Sequence, residues 1–502
     1  MTSVAEQLRL PKEPSTIAII DVQWGDTGKG KFVDVLSEWA DIIARGTGGA
    51  NAGHTICIGN RTHVFHLIPS GILRDSDDKM NIIGTGVALD LHILCEEFDL
   101  LELNGLSFDH LRISRDAHVV LPQHLLFDRL KEASLGGKKI GTTGRGIGPL
   151  YGDRVARTGL TMLDLLNPAT FRTKLRRNLD EKAYFIRCVD PEMAKAVMGH
   201  EHLEKGRFYH PETIFDQDAI IKRYLQYASR IRDMVCDTDT LLRQQVGKRN
   251  ILLEGAQGVL LSVDHGIHPH VTSSDCSLAG LVKGVGLREK DVDRVFSIVK
   301  APYMTRVGEG VFPTELGGER SEEWCSVSGQ SADKEREAFP AASVNSDDPF
   351  EQGIGVRQAG NEYGATTRRP RRTGWLDLPL LRYALQFAGQ ELILTKVDVL
   401  DTCERILICN AHLYRGPIYD MGDYVLHPED LLVKAIPNSE ILRHVSPCYQ
   451  DFPGWQRDIS GARTRADLPL ELLDIVSFIE KQTKTAVVAV SVGRERDQTV
   501  YL

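Results

Sequence analysis

Apolar runs that end on a glycine turn recur along this 502-residue chain and suggest its architecture. The first, residues 17–22, is almost free of polar alternation, the pattern of a strand buried on both faces. Gly25, Gly28 and Gly30 then mark a turn, and residues 32–44 carry helical spacing, although 41–44 either continue that helix or open a second strand. Residues 65–71 and 82–88 alternate apolar runs with glycines, 160–250 are mostly helical in pattern, and 251–258, 392–398 and 488–493 each read as a strand entering a turn. This texture predicts an α/β fold with a large, mainly parallel central sheet flanked by helices and interrupted by insertions. Ligands meet such a sheet at the edge where its loops gather. Residues 1–15 read as a flexible leader and 16–502 as a single α/β domain. Residues 317–358, charged and poor in apolar side chains, read as an exposed insertion.

Composition narrows the partners. Lys+Arg 60 against Asp+Glu 69 gives a net charge of −9, which argues against a general binder of nucleic acid or of anionic membranes. Phosphate ligands must then be met by local basic clusters. Nine cysteines with no Cys-x-x-Cys pair point to neither a disulfide framework nor a zinc site. The first fifteen residues carry Glu6, Lys12 and Glu13 and no apolar core, and no run approaches a membrane span, so a cytoplasmic protein is expected.

Several stretches have the chemistry of anion sites. Gly25-Asp-Thr-Gly-Lys-Gly-Lys31 joins a buried strand to a helix, the place where backbone N–H groups and a helix N-terminus close round a phosphate, with Lys29 and Lys31 adding charge. It departs from the usual Gly-x4-Gly-Lys-Ser/Thr loop. Gly141-Thr-Thr-Gly-Arg-Gly-Ile-Gly-Pro149 is a second donor-rich loop. Arg368, Arg369, Arg371 and Arg372 follow paired threonines and suit carboxylates or phosphates. In Thr395-Lys-Val-Asp398 a carboxylate can accept both N1–H and N2–H of guanine while the lysine stem covers the base, and the 488–493 strand and turn would close that pocket. His265, His268 and His270 lack the spacing of a helical zinc site.

Two of these stretches, Gln23-Trp-Gly-Asp-Thr-Gly-Lys-Gly-Lys31 and Asn51-Ala-Gly-His-Thr55, together resemble the opening of the adenylosuccinate synthetase family, and the resemblance continues in order from about residue 16 to 500. It implies a P-loop-NTPase-like fold and GTP-dependent ligation of IMP and L-aspartate through 6-phosphoryl-IMP. By the same resemblance Asp26 is the catalytic base and a Mg2+ ligand with the Gly53 carbonyl, His54 meets the γ-phosphoryl group, and Gln257 meets the forming oxyanion. Asn51, Thr143, Gln257, Thr272 and Val307 would hold IMP, joined by Arg157 from the partner subunit of a homodimer. Thr366, Thr367 and Arg369 would take aspartate. Gly25, Gly28, Lys29, Gly30, Lys31, Arg371, Lys396, Asp398, Ser491 and Gly493 would serve GTP. The chain departs from the family pattern at Thr27, where a glutamate is usual, and at Arg368, where a glycine is usual. A ligase for another purine nucleotide or amino acid, or a nucleotide-binding homologue without turnover, are the alternative readings.

Overall fold

Residues 3–58, 61–74, 78–135, 141–186, 216–327, 329–364 and 368–502 are described by a computed structural model of the protein. Strand β1 (Thr16–Asp21), buried along its whole length, lies in the middle of a ten-stranded sheet. The other strands are β2 (Ile42–Arg45), β3 (Met80–Ile83), β4 (Leu111–Ser114), β5 (Val235–Cys236), β6 (Ile251–Glu254), β7 (Arg294–Lys300), β8 (Glu391–Thr395), β9 (Ala486–Ser491) and β10 (Thr499–Tyr501). Their spatial order is β10-β9-β8-β7-β1-β6-β2-β3-β4-β5, with every pair parallel except β9 and β10. Ala18 of β1 sits in register with Leu253 of β6 and Val295 of β7, so the loops after these strands emerge side by side. A five-stranded second sheet, which includes Tyr303–Arg306 and Arg372–Asp377, shares one continuous apolar core with the first.

Three expectations are corrected. The helix after the first turn is only Lys29–Leu36, and Ile42–Arg45 is strand β2. Ile42 and Ile43 are β-branched and buried, and the N–H groups of Asp41 and Ile42 are both claimed by the Asn250 carbonyl, at 2.9 and 3.0 Å, at the start of β6. The leader is anchored from Val4 to Leu10. Its helix Val4–Gln7 is closed by a reciprocal Ser3–Glu6 capping box, and Leu8 and Leu10 pack into the cluster holding Ile17, Ile19 and Phe32.

The third correction concerns residues 317–358. They form the helices Gly318–Ser326, Ala332–Ala338 and Pro349–Gly360, and the last of these is largely core, with Phe350, Ile354 and Val356 buried. The charge that suggested exposure is partly buried as pairs: Glu335 and Arg357 are both inaccessible to solvent and 2.9 Å apart. Trp324, Phe339 and Phe350 stack edge to face beside them. Among the described residues no helix is long and apolar enough to cross a membrane.

Candidate active site

The loops after β1, β6 and β8 open onto one cleft of about 1420 Å³, larger than a single small ligand needs. Gly25 and Gly28 hold φ of 81° and 86°, and Asp26 between them is also left-handed at 55°. Gly28 caps the helix Lys29–Leu36 without a side-chain hydrogen bond, which leaves first-turn N–H groups at the cleft wall with the positive end of the helix dipole. The β6 loop packs directly on this turn. A Cβ at Gly258 would lie 2.3 Å from the Gln23 carbonyl oxygen, so only glycine permits the approach.

His54, Gln257 and Asp26 all line this cleft. His54 is buried, with Nδ1 in contact with the Glu254 carboxylate, and Ser70 donates its hydroxyl to the same carboxylate at 2.7 Å. Burial lowers the His54 pKa, against the pull of Glu254. Burial raises the Glu254 pKa, but His54, Arg45 and Ser70 outweigh it and leave it below the ordinary value. This fixes Nε2 as the atom turned away from Glu254, and Nε2 is buried with no protein partner. Gln257, in a left-handed conformation at 51°, likewise leaves both side-chain amide atoms buried and unpartnered. Asp26 is ion-paired with Arg371 at 2.8 Å, and Arg371 is held by Glu362 at 2.7 Å. Glu362 also accepts from Tyr303, Lys300 and Lys396. Burial would raise its pKa, but these cations keep it well below the ordinary carboxylate value.

The two loop lysines face different ways, because residues two apart on a helix lie on nearly opposite sides. Lys29 donates to Asp21 at 3.0 Å and to the Gln257 carbonyl at 2.6 Å, tying the first turn to the β6 loop. Lys31 donates to the Ser491 hydroxyl and to the carbonyls of Gly493 and Gln498, within 2.9 Å in each case. Thr27 is fully buried and donates to Asp21 at 2.6 Å, so the departure from glutamate adds to the support under Lys29.

The residues expected to hold IMP are brought together in part. Asn51 donates to Thr272 at 3.1 Å and leaves its Oδ1 buried without a partner, and Thr143 and Val307 line the same cleft. Arg157 does not line it: this residue is exposed at the left-handed end of the helix Ile147–Ala156, beside the exposed Val155. Lys396, Asp398, Ser491 and Gly493 also line the cleft, the last two in contact with Lys31, as does Gly53, next to His54 in the chain. Thr366 and Thr367 lie outside the described residues. Arg368, not Arg369, borders the cleft there, and the Arg369 carbonyl accepts from Gly364 N–H at 2.9 Å.

His265 stacks on Phe387 and His268 meets the Val263 carbonyl, which leaves only His270 at the cleft. Among the described residues one buried group with metal-ligand atoms, Asp377, Cys409 and His412, stands away from the cleft, and its His412 Nε2 and Asp377 Oδ2 already bond each other at 2.8 Å. Glu254, Asp21 and Glu362 escaped the sequence reading. A signal for the first two was present: each is a carboxylate that closes an otherwise apolar buried strand, at the strand end where ligands bind.

A glycine-lined helix N-terminus, a carboxylate, a histidine and an amide around one cleft at the loop edge of a parallel sheet define a phosphoryl-transferring enzyme of the nucleotide-dependent type. The family described as Adenylosuccinate synthetase matches residues 18–500. The chain is 37% identical over 492 residues to adenylosuccinate synthetase of Citrifermentans bemidjiense, covering 97% of this chain and 98% of the relative. It is 39% identical to that of Heliobacterium modesticaldum, covering 97% and 99%. A fully ligated adenylosuccinate synthetase from Plasmodium falciparum superposes with a TM-score of 0.78 at 30% identity, covering 97% of this chain and 99% of that one. The chain belongs to the adenylosuccinate synthetase family.

Proposed function

We propose that this chain joins IMP to L-aspartate in two steps at the cleft, using GTP. In the first, the Asp26 carboxylate accepts the N1 proton of IMP, the 6-oxygen attacks the γ-phosphorus of GTP, and the bond to the β-phosphate oxygen breaks to release GDP. Arg371, 2.8 Å away, holds the Asp26 carboxylate in place for this task. Gln257 donates to the 6-oxygen as its charge develops, and a donor already in place needs no reorganisation at that moment. His54 offers Nε2 to the γ-phosphoryl oxygens, with Glu254 as the countercharge that lets Nε2 carry a proton when they approach. In the second step the amine of aspartate attacks C6 of 6-phosphoryl-IMP, inorganic phosphate leaves, and the amine sheds a proton.

Asp26 and the Gly53 carbonyl supply the hard oxygen donors that suit Mg2+, and there they would hold the ion that neutralises the phosphate oxygens of GTP. Asn51, Thr143, Thr272 and Val307 seat IMP, with Arg157 reaching in from the second subunit of a homodimer. Lys396 and Asp398 read the guanine. Arg369, with the threonines before it, grips aspartate.

The observation that carries this reading is that the buried polar atoms left without protein partners, the Gln257 amide and His54 Nε2, border the cleft that Asp26 also lines. The test incubates the purified protein with IMP, aspartate, GTP and Mg2+, omitting one substrate at a time. Phosphate and adenylosuccinate should appear one for one, and only with all three substrates present. Phosphate release without adenylosuccinate would overturn the reading.

A further inference from the structure

Residues 317–358 have no part in the reaction described so far, yet Ser331, Ala332 and Asp333 line the cleft on the side of Tyr363, Gly364 and Arg368. Behind that wall Glu335 is inaccessible to solvent and gathers three donors: Trp324 Nε1 at 2.7 Å, Arg357 Nε at 3.0 Å and the Tyr363 hydroxyl at 2.6 Å. Tyr363 bridges to Pro370, and Gly364 N–H donates to the Arg369 carbonyl, so Tyr363 forms the base of the stem that carries Arg369. Arg357 is fixed in turn, since its carbonyl accepts from Glu362 N–H at 2.8 Å and its guanidinium reaches Thr373. The helices of 317–358 are thus bonded through one buried carboxylate to the stem.

We propose that this segment is a brace for the amino-acid end of the cleft, in which Glu335 acts as a positioning residue through the Tyr363 hydroxyl. The proposal rests on the reading that Arg369 meets a carboxylate of the amino-acid substrate. A phenol held by a buried, ion-paired carboxylate is a short and directional bond, and it fixes one arm of the stem without touching the IMP or GTP ends. Deleting the hydroxyl should then loosen the grip on the amino acid alone.

Tyr363→Phe removes that one bond and leaves Glu335 paired with Arg357 and Trp324. Its expected effect is an aspartate KM raised about tenfold, the worth of one hydrogen bond to a charged group, with kcat at saturating aspartate and the KM values for IMP and GTP within about twofold. Glu335→Gln in the Tyr363→Phe background should add little further to the aspartate KM, because both changes cut the same link. If Glu335→Gln fails to fold, the single Tyr363→Phe variant, with its thermal melt recorded, decides the matter. Arg369→Met, measured in parallel, separates the two layers of the argument. An aspartate KM raised by Arg369→Met but unmoved by a folded Tyr363→Phe overturns the brace alone, and one unmoved by Arg369→Met overturns the reading beneath it and the brace with it. A rise in all three KM values together would show a general structural role and overturn the proposal.

Discussion

Gln257 leaves both amide atoms and His54 its Nε2 without a protein partner in the cleft, whereas the Lys31 ammonium donates to three oxygens of the C-terminal segment. Each buried and unsatisfied polar group costs about 1–3 kcal/mol. A chain keeps several of them close together when a ligand completes them, and their rigid surroundings mean that the completed bonds form without further ordering. The lysine that looked equally poised for phosphate serves to hold the last strand and turn against the first helix. In this cleft the unpartnered Gln257 and His54 atoms are open to a ligand, whereas the Lys31 ammonium is spent on the scaffold.

The sharpest way to break this contrast is to alter Asp26, His54 or Gln257. Asp26→Asn, His54→Asn and Gln257→Ala should each lower turnover by roughly 100-fold or more, with Asp26→Asn the largest at about 1000-fold or beyond, because all three act on charge that develops in the reaction. In the Asp26 and His54 variants IMP affinity measured by calorimetry should stay near that of the unaltered protein. Near-normal turnover in the Asp26 and His54 variants would mean that the atoms left open in the cleft serve something other than this chemistry.

Asp398 should give a smaller effect of a different kind. Asp398 is mostly buried beside Lys396 and borders the cleft, and a carboxylate there distinguishes guanine from adenine by two donors. Asp398→Ala should erase a preference for GTP over ATP of roughly 30- to 1000-fold while leaving kcat with GTP at saturation largely intact. Equal use of the two nucleotides by the unaltered protein would remove guanine recognition from Asp398.

How far the sequence foretold these regions depends on what each is made of. The parallel sheet was legible because β1, β6 and β8 are apolar along nearly their whole length, and the first turn because glycines punctuate it. Strand β2 was not, since three apolar residues and an arginine fit a helix as well as a strand until β6 is known to lie beside them. Residues 317–358 were misread only in part: Glu319, Glu323, Lys334, Arg336 and Glu337 are exposed, but Glu335 and Arg357 bury each other, which only the fold reveals. In the cleft, the motif residues Asp26, His54 and Gln257 stood out, but their supports did not. Glu254 orients His54 from a strand end 200 positions away, and Glu362 reaches Arg371 across a turn, so these contacts exist only in three dimensions.

Arg157 tests whether the cleft is complete in one chain. It is exposed at the end of a helix that lines the cleft from Ile147 to Ala156, and the neighbouring Val155 is 82% exposed, so this surface is open in the single chain to a second copy. An arginine meeting a phosphate makes a charge-assisted contact, and Arg157→Leu should weaken IMP binding by roughly 10- to 100-fold while sparing GTP. Asp26→Asn keeps IMP affinity and stops the chemistry. In a mixed dimer of the two variants, one cleft takes its Asp26 from one chain and its Arg157 from the other, and is intact. Mixing the two weakly active proteins should therefore restore up to about a quarter of the normal activity per site, the share expected when subunits pair at random and each dimer has two clefts. Subunit exchange is confirmed beforehand with differently tagged chains. No recovery after verified exchange would mean that Arg157 serves its own chain or no site at all, and that the unpartnered atoms in the cleft are completed by substrate without help from a second copy.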